Sequence, residues 1–309
     1  MTEQAARARV GEVELCYELV GDPSGPVMVL VNGLGGQLID WDDGLLAALR
    51  AAGLATLRFD NRDAGLSSGA DERFRFDLQA AGRRDRSALA YELHHLADDV
   101  AALLDAVGVE RAHVLGVSMG GMIAQLVALR HQHRVLSLTS IMSTTGAPGV
   151  GQPSEEAVGI LLRPAARDRA EHLEREVANQ AVLGSPGYRA DPVRVRERAA
   201  AKYDRAFRPS GVARQLMAIL MAEDRTEGLG RVTVPTLVVH GADDVLVAPS
   251  GGRATAEAVP GAELLVVPGM GHEIPPAVAP AIAAAVVATA RRADHRLGTV
   301  PVPGRGSTG

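Results

Sequence analysis

The sequence predicts an α/β fold in which a mostly parallel sheet is flanked by helices and interrupted by an inserted helical segment. Between residues 27 and 142, short runs of β-branched and other apolar residues alternate with stretches of helical periodicity. Between residues 146 and 229 this alternation stops, and helical segments rich in Arg and Glu carry no strand pattern. Buried-strand runs resume at residue 234. Strands that alternate with helices are typical of a parallel sheet with crossover helices.

The elements are predicted from their periodicity and from the turn residues that separate them. Polar and apolar residues alternate over 11–20, which predicts a half-exposed strand, and the charged, glycine-punctuated stretch 61–87 is interpreted as a loop. Buried strands are predicted at 27–32, 112–117, 234–241 and 262–269, and two further strands at 55–60 and 135–142. Helices are predicted from the Gly-rich loop to about Gly53, over 87–108, over 121–131 and, as a closing helix, over 277–293.

The order of the predicted elements divides the chain into a core, a cap and a tail. Residues 1–145 and 230–293 form the predicted core, and residues 146–229 form a predicted helical cap. We expect the cap to lie over the carboxyl ends of the strands, where open α/β sheets bind their ligands. Residues 294–309, rich in Gly and Pro, are predicted to be a disordered tail.

Composition excludes several classes of partner. The net charge is −5 with acidic and basic residues intermixed, which argues against a nucleic-acid or anionic-membrane partner. Cys16 is the single cysteine, which excludes an intrachain disulfide and favours the cytoplasm. The N-terminal stretch has no apolar signal core, and no apolar run is long enough to span a bilayer. Aromatic residues make up only 3 % of the chain, which argues against a large stacking site.

A Gly-x-Ser-x-Gly motif is centred on Ser118 in the stretch HVLGVSMGGM, between a predicted buried strand and a predicted helix. In that setting a sharp turn holds the serine in strained dihedral angles, and the flanking glycines relieve the crowding. The hydroxyl then projects at a helix N-terminus, which favours a developing negative charge. We expect Ser118 to be a nucleophile. The alternative is a tight turn whose serine only caps the helix.

A serine nucleophile needs a base, usually histidine, and the base needs an orienting carboxylate. Of the nine histidines, His272 follows the last predicted strand in a loop at the carboxyl edge of the sheet, and it is the predicted base. His240 ends the preceding strand and is interpreted as shaping the adjacent turn; the alternative is that it points into the site. The loop after that strand offers two carboxylates, Asp243 and Asp244, between which spacing does not choose.

An oxyanion hole completes the predicted site. One donor is expected to be the backbone N–H of Met119, after the nucleophile, and the other that of Leu34 in the loop VNGLGG. Gly33 in that loop allows close approach of a substrate oxygen. We expect Gly33 and Trp41 to contact the substrate together with the cap; the alternative for Trp41 is a place in the core.

The chain resembles the α/β-hydrolases over residues 10–292. Four stretches, RFDNRDAGLSS, ERAHVLGVSMGGMIAQLVALRH, VTVPTLVVHGADD and VPGMGHEIP, are similar to the bacterial aclacinomycin methylesterase-like subgroup. The resemblance implies a Ser118–Asp244–His272 triad, and it selects Asp244 over its neighbour. It also implies Leu34 and Met119 as oxyanion donors, a mobile helical cap, and neither a cofactor nor a metal. Where many α/β-hydrolases carry His-Gly at the oxyanion loop, this chain has Asn-Gly at 32–33.

The expected function is a serine hydrolase that cleaves a small-molecule carboxylic ester through an acyl-enzyme, and the resemblance suggests a methyl ester. Three alternatives use the same fold. A cofactor-free haloperoxidase or perhydrolase would pass the acyl group to peroxide, and a lactonase or thioesterase would share the tetrahedral intermediate. A non-catalytic ligand-binding protein would keep the fold without turnover.

Overall fold

A computed structural model describes residues 5–70 and 76–298, with side chains described up to residue 293. The strands are β1 (Ala6–Val10), β2 (Val13–Val20), β3 (Val27–Val31), β4 (Ala55–Phe59), β5 (Ala112–Val117), β6 (Val135–Ile141), β7 (Thr236–Gly241) and β8 (Glu263–Val267). The helices are α1 (Asp43–Ala51), α2 (Leu78–Gly82), α3 (Leu93–Ala106), α4 (Met119–Arg130), α5 (Glu155–Leu161), α6 (Arg169–Leu183), α7 (Pro192–Arg205), α8 (Pro209–Leu220), α9 (Thr226–Leu229), α10 (Ser250–Ala258) and α11 (Ala279–Gly298).

Within the described residues these eight strands form one sheet in the order β1-β2-β4-β3-β5-β6-β7-β8. The pairs from β4 through β3, β5, β6 and β7 to β8 are parallel, and the β1–β2 and β2–β4 pairs are antiparallel. The predicted α/β class with a mostly parallel sheet is confirmed. Because the carboxyl ends of parallel strands meet at one edge, the loops after β3, β5, β7 and β8 converge there.

The central strands are buried on both faces, as their continuous apolar runs predict. In β3, Val27, Val29 and Val31 join the core cluster that contains α3 and α4. Met28 and Leu30 point to the opposite face and join the cluster that contains α1 and α11. This alternation follows from the two-residue period of a strand. Helices therefore cover the sheet on both sides, and its carboxyl edge is left for the loops.

Four elements differ from the sequence-based expectation. Helix α2 lies within the stretch 61–87 that was interpreted as a loop, where the side chain of Asp77 caps its short first turn, and α10 lies where no helix was predicted. Strand β1 was not predicted, because its Ala–Arg alternation carries little apolar signal; antiparallel pairing with β2 across the turn at Gly11 (φ 57°) forms it. At the other end of the chain, α11 continues to Gly298, five residues into the predicted tail, while residues 299–309 lie outside the described part. Among the described residues, no helix combines the length and apolar character needed to cross a bilayer.

Helices α5 to α9 lie between β6 and β7, in the segment predicted to be a cap. Two ion pairs tie this segment to the loop after β4. Arg214 of α8 makes two hydrogen bonds of 2.8 and 2.7 Å to Asp63, and both side chains are buried. Arg205 of α7 lies 2.8 Å from the buried carboxylate of Asp60. These contacts join α7 and α8 to the core in this conformation, and the mobility of the cap that the resemblance implied stays a prediction.

Replacing Arg214 by leucine should lower the free energy of unfolding by about 3–5 kcal/mol, because Asp63 would remain as an uncompensated buried charge. Urea denaturation measures this change. The matched control is Arg169→Ala, which breaks an exposed pair with Asp204 and should leave the midpoint unchanged within error. If Arg214→Leu loses no more stability than this control, the buried pair does not anchor α8.

Candidate active site

Ser118 stands at a sharp turn between β5 and α4. Its backbone has φ 55° and ψ −120°, a conformation that residues other than glycine seldom adopt. The Ser118 amide donates to the carbonyl of Ile141 over 2.9 Å, and the hydroxyl of Ser143 donates to the Ser118 carbonyl over 2.8 Å. These bonds to the end of β6 hold the strained turn in place.

The two motif glycines are required by close backbone contacts. A Cβ on Gly116 would lie 2.0 Å from the carbonyl oxygen of Gly120, and a Cβ on Gly120 would lie 2.0 Å from that of Val31. Helix α4 therefore begins against β3 and β5 at a distance that no larger residue permits. This is the physical reason for glycine two residues on either side of the serine.

The loop after β8 brings His272 to the serine. Its Nε2 lies 2.9 Å from Ser118 Oγ, and its Nδ1 lies 2.8 Å from Asp244 Oδ2. Asp244 is ionised and can only accept a hydrogen bond, so Nδ1 carries the proton and Nε2 is free to accept from the serine hydroxyl. The structure thus brings together the three side chains that the sequence and the resemblance selected.

Asp244 lies in the loop after β7 and is 3 % exposed. Its Oδ1 accepts hydrogen bonds of 2.9 Å from the amides of Leu246 and Val247. Burial alone would raise the pKa of this carboxyl, but the hydrogen bonds from His240 and His272, the electrostatic interaction with the His272 ring and the Val247 amide outweigh burial. The pKa of Asp244 therefore lies well below its ordinary value, which keeps the buried carboxylate charged.

Asp243 has a different role. It is exposed, and its Oδ2 accepts a hydrogen bond of 2.9 Å from the amide of Gly269. That bond ties the loop after β7 to the turn after β8. Of the two neighbouring carboxylates, Asp244 is the one that contacts the imidazole.

The structure places His240 beside the acid, which matches the alternative in which this histidine points toward the site. This fully buried imidazole has Nε2 2.8 Å from the carbonyl oxygen of Val247 and 3.4 Å from Asp244 Oδ2. His240 therefore contacts the loop that carries Asp244, in addition to lying next to the turn at Gly241. The one sequence signal was that His240 precedes Asp244 by four residues at the end of a strand.

The loop after β3 lies against the nucleophile. A Cβ on Gly33 would lie 3.2 Å from Ser118 Cβ, and the Gly36 amide donates to the Gly33 carbonyl over 3.0 Å in a tight turn. Among the described residues, the amides of Leu34 and Met119 have no hydrogen-bond acceptor. Asn32, the residue that departs from the hydrolase pattern, donates through its side chain to the carbonyl of Gln37 and so supports the loop.

A cavity of about 710 Å³ adjoins this loop beneath the inserted helices. Leu34 belongs to its wall, whereas Ser118 and His272 do not, so the cavity adjoins the oxyanion loop without being lined by the nucleophile or the base. Tyr203 and Phe207 stack on the wall with ring centroids 4.5 Å apart. The low aromatic content argued against a large stacking site, and that stays a prediction; Phe76, Tyr203 and Phe207 are the aromatic residues among those that line this cavity.

Trp41 lies elsewhere. It is 6 % exposed and belongs to the core cluster that contains Leu45 and Leu115, and it is not part of the cavity wall. This position matches the alternative interpretation of Trp41 as a core residue.

Comparison with known proteins identifies the family of this chain. Residues 26–275 match the model of the alpha/beta hydrolase fold family. The chain belongs to the α/β hydrolase family. It is 33 % identical to rhodomycin D methylesterase DnrP of Streptomyces peucetius, an alignment that covers 91 % of this chain and 96 % of that protein.

Solved structures of other α/β hydrolases superpose on most of the chain. A hydrolase from Pseudomonas aeruginosa PA01 is 29 % identical with a TM-score of 0.72, covering 94 % of this chain and 99 % of that one. The enol-lactonase from Burkholderia xenovorans LB400 has a TM-score of 0.73 at 24 % identity, covering 92 % of this chain and 99 % of that one. The second likeness concerns the fold alone.

Proposed function

We propose that this α/β hydrolase is a serine esterase that cleaves a small-molecule carboxylic ester through an acyl-enzyme. The observation that carries the proposal is the position of His272, within hydrogen-bond distance of both Ser118 Oγ and Asp244 Oδ2. A serine hydroxyl is a weak nucleophile unless a base takes its proton, and this arrangement supplies the base already oriented.

In the acylation step, His272 Nε2 takes the proton of Ser118 as Oγ attacks the ester carbonyl carbon. The carbonyl oxygen becomes an oxyanion, which the free amides of Leu34 and Met119 stabilise. The C–O bond to the alcohol then breaks, and the imidazolium gives its proton to the leaving alcohol. Asp244 holds the ring and balances its positive charge during the step.

In the deacylation step, His272 takes a proton from water, and the resulting hydroxide attacks the acyl carbon. A second oxyanion forms at the same two amides. The bond from the acyl carbon to Oγ breaks, and the proton returns to Ser118 from the imidazolium. The acid product leaves, and the enzyme is restored without any change in oxidation state.

For the substrate, we propose a methyl ester of a bulky, ring-containing acid. Similarity to rhodomycin D methylesterase supports the methyl ester. The cavity of about 710 Å³ has room for a large acyl part, and the stacked pair Tyr203 and Phe207 offers it a flat apolar surface. We propose that the cap, residues 146–229, determines which acyl groups are accepted. We also propose that Gly33, in the loop after β3, contacts the substrate. The buried free thiol of Cys16 supports a cytoplasmic location.

An activity profile tests the proposal. We expect methyl esters of bulky aromatic acids to be hydrolysed with a higher kcat/KM than p-nitrophenyl esters of short linear acids. Parallel assays offer a lactone, a thioester, and an ester with added peroxide. Faster turnover of one of these substrates would replace the esterase proposal by the corresponding alternative. Absence of turnover on every one would support a ligand-binding protein.

A further inference from the structure

The loop that carries the base is held by the end of helix α6. The amide of His272 donates to the carbonyl of Leu183, the last residue of α6, over 2.7 Å. The neighbouring amide of Gly271 donates to Ser185 Oγ over 3.0 Å, and the Ser185 amide donates to Glu273 Oε1 over 2.8 Å. Three consecutive residues around the imidazole are thus bonded to one short segment of the inserted helices.

These contacts are close and shielded from solvent. Ser185 is 3 % exposed, and Gly271 is buried. A Cβ on Gly271 would lie 2.2 Å from the carbonyl oxygen of Gly184, so the two backbones touch at this point. A buried N–H that loses its acceptor is costly, and water has little access to replace it. The Ser185 hydroxyl is therefore the acceptor on which the Gly271 amide depends.

The same helix borders the cavity. His172, Arg175, Glu176 and Asn179 of α6 belong to the cavity wall, one to three turns before the segment that holds the base. Helix α6 is thus in contact both with the space proposed for the acyl group and with the backbone of the base. The hydrogen bonds at the C-terminal end of α6 therefore link the inserted helices to the backbone that positions the imidazole.

We propose that Ser185 is a positioning residue for His272. It touches neither the substrate nor the reacting atoms, and it acts by fixing the Gly271–His272 backbone so that Nε2 stays within reach of Ser118 Oγ. The proposal rests on the esterase function proposed above. Nucleophile activation depends on that distance, because small displacements of a catalytic group reduce the rate strongly.

The test measures the reactivity of Ser118 in the full-length protein with a fluorophosphonate probe, together with kcat and KM for a methyl ester. We expect Ser185→Ala to lower both kcat and the phosphonylation rate about tenfold, while KM changes less than about twofold. Ser185→Thr keeps the hydroxyl acceptor and should restore the phosphonylation rate to within about threefold of wild type.

The control separates positioning from general loss of stability. Ser137→Ala removes another buried serine hydroxyl, which lies 2.8 Å from His113 Nδ1 near the amino end of β6. It should lower the melting temperature and leave the phosphonylation rate of the folded protein unchanged. If both alanine variants change this rate equally, or if Ser185→Ala matches wild type, the positioning role is overturned. If wild-type Ser118 itself does not react, the esterase function fails instead.

Discussion

Replacing His272 by alanine should lower kcat for ester hydrolysis by about five orders of magnitude. The serine would keep its strained turn and its place at the start of α4, but no other side chain in the described part of the protein lies within hydrogen-bond distance of Oγ to take its proton. Residual turnover would come from the oxyanion donors and from substrate binding, which do not require the imidazole. KM should change little, because His272 is not part of the cavity wall.

Steady-state kinetics measure this loss, with His133→Ala as the control. His133 is exposed and lies in the turn between α4 and β6, so its replacement should leave kcat unchanged. A His272→Ala variant that keeps more than about a tenth of wild-type kcat would show that another group activates the serine.

Asp244→Asn should reduce kcat about 10⁴-fold. The amide has nearly the same shape, but it is neutral and can donate through its NH₂ group. It can therefore stabilise the tautomer in which Nδ1 accepts and Nε2 carries the proton, and Nε2 would then no longer take the proton of Ser118. It also cannot balance the positive charge of the imidazolium. The neighbouring variant Asp243→Asn is the matched control, because its amide oxygen can still accept from Gly269, and kcat should stay near wild type.

The same substitution should change the stability of the protein in acid. The pKa of Asp244 is lower in the folded state than the unfolded value of about 3.9. The ionised carboxylate therefore stabilises the fold above that pH, and this contribution is lost as the pH falls below about 4 toward the folded-state pKa. Urea midpoints measured between neutral pH and pH 3 should fall less steeply for Asp244→Asn than for wild type. Equal slopes would contradict the depressed pKa.

The nucleophile and the base could be predicted from the sequence because both depend on local context. Ser118 lies in a motif whose two glycines, Gly116 and Gly120, are needed because their backbones touch each other and strand β3. His272 follows the last buried strand, and the carboxyl ends of parallel strands meet at one edge. Asp244 needed the family resemblance, because one residue of spacing separates it from Asp243 and only the folded turn determines which carboxylate faces the ring.

Features built from distant residues could not be predicted in this way. Tyr203 lies near the end of α7 and Phe207 just beyond it, and only the docking of the insertion turns them toward a cavity next to Leu34. The contact between Ser185 and Gly271 joins residues 86 positions apart. Both features depend on how separate elements pack against each other. Neither produces a periodicity or a fixed residue spacing that could be recognised in the sequence.

The central claim is that His272, held by Asp244, makes Ser118 a covalent nucleophile. The most direct measurement is intact-protein and peptide mass spectrometry after treatment of the folded protein with a fluorophosphonate. We expect one adduct per chain on the peptide that contains Ser118, and no adduct at that position in the His272→Ala variant on the same time scale. An unmodified Ser118 in the folded wild-type protein, or equal labelling in both proteins, would contradict the claim.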